Sequence, residues 1–128
     1  MLRGVSHMTV LVREYDEALR WYTEVLGMEP RGDFPLGEGG YRWVTVGVPG
    51  QPDLNLVLHR PHSPDQESQL GKLGLGVLSS SDTRGDVERL RGLGVKITGE
   101  PTDERWGVMA MFEDLYGNGW VMVQPHSS

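Results

Sequence analysis

Histidine, aspartate and glutamate are the side chains in this sequence that could bind a metal or move a proton near neutral pH. The chain holds four histidines, eighteen acidic residues and no cysteine, so disulfides, thiol nucleophiles and thiolate metal sites are excluded. Two histidines, His7 and His59, lie in segments that alternate as strands do (HMTVLV and DLNLVLH), whereas His62 and His126 lie in a polar linker and a tail. Because strand side chains point alternately to opposite faces, His7 shares a face with Thr9 and Leu11, and His59 with Asp53, Asn55 and Val57. In YRWVTVGV the same rule groups Trp43 with Thr45, opposite Val44 and Val46. An indole beside a few convergent polar groups suits a small molecule, held by stacking and oriented by hydrogen bonds. Glu113, also on a strand, could pair with a cationic ligand or share acid–base work with His7. The competing reading is that the apolar members of these faces simply fill space. No glycine-rich phosphate loop or nucleophile elbow is present, and the serine run 79–81 has no histidine in matching context.

The elements that must position these residues occur twice. From Val5 to Gly27 the apolar period switches from 2 to 3.6, which predicts a strand and then a helix carrying Ala18, Leu19, Tyr22, Val25 and Leu26 inward. Asp16 is placed at the helix start as a cap or first-turn acid, and Gly27 stops the helix. Strands at 41–48 and 53–59 complete the first copy. The second copy repeats the order: a strand alternating Leu75, Val77 and Ser79 with Gly74, Gly76 and Leu78; a helix around 86–93 ended by Gly94; and the strands GVMAMFED and NGWVMVQP. The last two place Met109 and Met111 on one face, and Val121 and Val123 opposite Trp120 and Met122. The prolines and glycines of 30–40 predict a strand end and a loop, 100–106 a second loop, and DLYGNG a turn. The expected organisation is a single domain with module one at 1–61, a linker at 62–72 and module two at 73–128.

At 128 residues the chain is long enough for one ordinary core and too short for two independent domains of typical size. The net charge of −6 and twelve scattered basic residues argue against nucleic acid. No apolar run approaches the ~20 residues of a membrane span. We therefore expect a cytoplasmic protein with no nucleic-acid or membrane partner, whose acidic balance suits a cationic ligand.

The segments SHMTVLVREYDEALRWYTEVLG, YRWVTVGVPGQPDLNLVL, GDVERLRGLGVKI and FEDLYGNGWVMVQP, in this order, resemble the vicinal oxygen chelate superfamily, the glyoxalase and bleomycin-resistance fold. The resemblance implies an α+β fold of two βαβββ modules, a curved mixed sheet around a cleft, and a homodimer. It also implies four positions where metal-dependent members bind a divalent ion, which fall on His7, Val57, Leu75 and Val121. Three of these are hydrocarbon and donate nothing to a metal. A slip of two residues would bring Asn55 or His59 beside His7, which makes His7 and His59 weak metal candidates.

The expected function is thus the binding of an aromatic or cationic small molecule, without metal or other cofactor and without a catalytic residue. The expected lining comprises His7, Thr9, Trp43, Thr45, Asn55 and Val57 with His59 from the first module. Leu75, Val77, Met109, Met111, Val121 and Val123 complete it from the second. The rival expectation is an enzyme of lyase, isomerase, epimerase or dioxygenase type with an atypical metal site or a metal-free acid and base. A third is a module whose cleft is plugged by its own side chains.

Overall fold

The computed structural model describes residues 1–126, and the chain divides into two compact units between Leu70 and Gly71. Each unit is a βαβββ module. The first contains β1 (His7–Leu11), α1 (Tyr15–Glu24), β2 (Glu29–Pro35), β3 (Arg42–Gly47) and β4 (Asn55–His59), followed by a short helix α2 (Pro64–Gln69). The second contains β5 (Gly74–Ser79), α3 (Thr83–Gly92), β6 (Ile97–Glu104), β7 (Gly107–Glu113) and β8 (Gly119–Pro125). Their sheets have the same topology, β1-β4-β3-β2 and β5-β8-β7-β6, with the first strand parallel to the last and the other pairs antiparallel.

In the first unit Val10, Val12, Val44, Val46 and Leu58 are buried together with Tyr15, Ala18 and Tyr22 of α1. In the second, Ala110, Phe112, Trp120 and Met122 are buried with Val87 and Leu90 of α3. Each large side chain removed from water in this way contributes about 1.5–3 kcal/mol. Both helices start on an acid cap. Glu14 accepts hydrogen bonds from the amides of Asp16 and Glu17 (3.1 and 2.7 Å), and Asp82 from that of Gly85 (3.0 Å). Asp16 is therefore a first-turn acid and not the cap. The α1 segment ends near Gly27 at φ 73° and the α3 segment near Gly94 at φ 86°, the left-handed backbone that glycine adopts without a side-chain clash.

Four expectations are corrected. Residues 30–40 hold a strand, β2, before the turn, and 100–106 hold most of β6. Both are edge strands containing proline, and at an edge the missing N–H of proline need not break a ladder. The stretch 62–72, expected as a linker, contains α2; its Ser63 caps the amide of Gln66 at 3.2 Å and Pro64 opens the first turn. Strict alternation fails at the ends of two strands. Leu11 is buried along with Val10 and Val12, and Met8 on the helix-side row is exposed. A bulge between Gly74 and Gly76 leaves Leu75 outside the β5–β8 ladder.

Arg42 ties the edge of the first sheet to α1. Its guanidinium bonds Asp33 (2.6 and 3.1 Å) and Asp16 (3.0 Å) and lies over the Tyr15 ring at 5.2 Å. In the second unit the turn 114–118 is closed from inside. Asp114 accepts from the amides of Tyr116 and Asn118 and from Asn118 Nδ2, while Asn118 Oδ1 accepts from Gly71 N–H at 3.1 Å.

Candidate functional site

The face of the first sheet turned away from α1 is ordered in rows by the strand register. At one end His7 stands opposite Asn55, and Glu29 opposite Gly47. The middle row runs Thr9, Val57, Thr45 and Gly32 across all four strands. At the far end Leu11 pairs with His59, and Trp43 with Phe34. One face therefore grades from a polar row, through a small-residue floor, to an aromatic row.

Trp43 is placed by a neighbouring absence of side chain. A β-carbon on Gly32 would lie 3.0 Å from Thr45 Oγ1 and 3.6 Å from Trp43 Cδ1, so the indole lies over the glycine of the adjacent strand. Its ring centroid is 5.5 Å from that of His7 at 57°. His7 Nδ1 is 2.9 Å from Ser6 Oγ, and Asn55 Nδ2 donates to Ser6 C=O at 3.4 Å. The structure thus brings together His7, Trp43, Thr45 and Asn55, with Thr9 and Val57 in the floor.

His59 stands in the far row of the same face, and its ring contacts are with other residues. Its ring sits 5.1 Å from that of His62, edge to face, and Tyr41 approaches His62 at 6.4 Å. Burial lowers the His59 pKa below the ordinary 6.5, the charge of His62 pushes the same way, and a hydrogen bond with Gln66 of α2 opposes both. His59 thus joins the end of β4 to Gln66 of α2.

A residue missed by sequence reasoning completes the polar row. Arg31 falls in the β2 bulge between Pro30 and Gly32, inside the stretch read as loop. Its guanidinium donates to Glu29 Oε2 (3.2 Å), Leu54 C=O (3.2 Å), Asn55 Oδ1 (3.1 Å) and Val48 C=O (2.8 Å). The signal that could have found it is Gly47, a glycine within an otherwise β-forming run, since such a glycine marks close approach by another group.

The corresponding face of the second unit is apolar. Val77, Val121, Met111 and Gly99 form one row, and Ser79, Val123, Met109 and Thr102 the next. Met111 packs over Gly99, whose hypothetical β-carbon would lie 3.1 Å from Met111 Cε, and Val77 is 67% exposed. Leu75, in the bulge, is half-buried, so Val77 takes the position beside Val121 that spacing had assigned to Leu75. Glu113 lies 3.9 Å from Lys96, which compensates its charge.

These residues do not fit a divalent ion. Val57, Val77 and Val121 supply no donor atom. His7 and His59 register with positions four residues apart on one strand, a Cα separation of about 13 Å at ~3.3 Å per residue, and their side chains turn to different partners. Among the described residues no three His, Asp or Glu side chains converge on a common point. A recess of about 430 Å³ between α1 and β2, lined by Asp16, Leu19, Arg20, Thr23, Glu24 and Pro30, contains none of the expected lining residues.

Two βαβββ modules, each with one sheet face left open by its helix, define the class. The chain belongs to the Glyoxalase/Bleomycin resistance protein/Dioxygenase superfamily, whose family model matches residues 4–122. Among solved structures it is similar to UcmS2, with 34% identity, 96% of this chain and 98% of that one covered, and a TM-score of 0.85. It is also similar to TnmS3, an antibiotic binding protein from Streptomyces sp. CB03234, with 31% identity, 98% of both chains covered and a TM-score of 0.85. A probable lactoylglutathione lyase of Synechocystis sp. is 28% identical over 130 residues, covering 94% of this chain and 95% of the relative.

Proposed function

We propose that this protein binds an aromatic small molecule by stacking and shape, without a resident metal, and acts by sequestering the compound. The observation that carries the reading is Trp43, spread over Gly32 and set against His7 on an open sheet face. A half-buried indole fixed in this way is a stacking surface, and Asn55 and His7 offer polar atoms around it. Within the second unit, the apolar row of Val77, Val121 and Met111 is by itself a surface able to adapt to an apolar shape. Hydrocarbon at three of the four positions expected to hold an ion supports binding over metal chemistry. The similarity to TnmS3 supports an antibiotic-like ligand, and the net charge of −6 favours a compound that is neutral or cationic overall. The working form is a cytoplasmic homodimer.

Isothermal titration against bleomycin-type, mitomycin-type and flavin-like compounds tests this, each run with and without a chelator. We expect at least one compound to bind with an affinity the chelator leaves unchanged, and to be recovered intact. The similarity to the Synechocystis lyase favours a second reading, a lyase-type enzyme. Chelator-sensitive turnover in a lactoylglutathione lyase assay, with no binding across the panel, would replace the first reading with the second.

A further inference from the structure

The guanidinium of Arg31 lies flat on the ligand-facing side of the first sheet. A β-carbon on Gly47 would collide with Cζ, Nη1 and Nε of Arg31 together. With Cζ as close as the nitrogens, the contact is with the plane of the group and not with its edge. That edge is occupied: four of the five N–H groups point in the plane to Glu29, Leu54, Asn55 and Val48. One face is therefore covered by the glycine and the rim by hydrogen bonds. The side chain keeps 15% exposure.

We propose that Arg31 is a specificity-determining stacking plate: the ligand's ring lies on the guanidinium, and the site selects electron-rich aromatic rings. The inference rests on the reading of this sheet face as the ligand surface and adds to it the electronic character of the ligand. An arginine plane attracts the negative face of a ring, and the attraction grows with the electron density of that ring. Four hydrogen bonds hold the plane in place beforehand, so little side-chain freedom is lost when a ring settles on it. Gly47 is the residue that permits the arrangement. Its φ lies outside the left-handed region, so alanine fits the backbone there, and the atoms its β-carbon meets first are those of the guanidinium. Trp43 and Arg31 then offer two flat surfaces on one face, the indole over Gly32 and the guanidinium over Gly47, which suits a ligand with more than one ring.

The test uses 5-methoxyindole and 5-nitroindole, which share a skeleton and differ in ring electron density, titrated into the wild-type protein, Arg31→Lys and Gly47→Ala. Lysine keeps the charge and loses the plane; alanine keeps the arginine and lifts it. We expect the wild-type protein to bind the methoxy compound at least about threefold more tightly. We expect this ratio to fall to about one in both variants, with affinity for the nitro compound preserved within about twofold. Thermal melts establish that the variants are folded, and if Arg31→Lys is not, Gly47→Ala decides alone. A wild-type ratio of one, or a preference that survives Gly47→Ala, overturns the inference and leaves the aromatic site standing. Failure of both indoles and of the wider panel to bind removes the site and the plate together.

Discussion

Trp43 owes its place to Gly32, and Arg31 owes its own to Gly47, so two glycines set the chemistry of the first sheet face. Replacing Trp43 by leucine keeps the site apolar and removes the stacking surface. We expect at least a tenfold loss of affinity for an aromatic ligand, about 1.4 kcal/mol or more, measured by titration, with little change in melting temperature because the indole is not part of the buried core. Most of this face was legible in the sequence. The period-2 alternation of HMTVL, RWVTVG and NLVLH placed His7, Thr9, Trp43, Thr45, Asn55 and Val57 on one side, and the register confirms that side. Arg31 was not legible, because EPRGDFP has no alternation and carries two prolines and a glycine. His59 was on the expected face, and its contacts with His62 and Gln66 are what no strand period encodes.

At the level of elements, the two strands that sequence reading shortened to a strand end with a loop (β2) or took for a loop (β6) are both sheet edges. An edge residue needs partners on one side only, so proline and bulges are tolerated there and the pattern that announces a strand is lost. Central strands are constrained on both sides, and β3, β4, β7 and β8 were found within a residue or two. Tight turns impose the opposite strictness. Gly107 has φ 145°, and a β-carbon there would collide with the Gln124 carbonyl oxygen. Gly107→Ala should therefore cost about 3 kcal/mol, read from denaturant unfolding. Helix α2 buries none of its residues. It is held by Arg13–Glu67 at 3.0 Å and by Gln66, whose Oε1 accepts from the His62 amide at 3.1 Å. Since folding holds the His59 pKa below 6.5, the unfolded chain takes up this proton first as pH falls. The stability linked to His59 is present above 6.5 and declines through the window down to the lowered folded pKa. Melting temperatures followed from about pH 7.5 to 5 should fall more steeply for the wild-type protein than for His59→Gln.

At the scale of the whole molecule, the duplicated order of strand, helix and three strands was evident from the sequence, since both copies carry the same change of period and a glycine after the helix. The family resemblance rested on four separated segments, and the match over residues 4–122 bears it out. The proposed homodimer is tested on the protein in solution. Light scattering coupled to gel filtration should give a mass near twice 14.3 kDa, and a mass of one chain would dismiss it. Strand β1 is an edge of its sheet, with Met8 41% exposed, and an edge of this kind pairs or must be covered. Met111 has a consequence of another sort. Its thioether crosses Gly99 with 39% of the residue open to water, and peroxide converts such a group to a polar sulfoxide. The second sheet face would then lose its hydrocarbon character under oxidative stress, while any cargo seated there would shield the sulfur, so mass spectrometry after brief peroxide exposure would register occupancy as protection.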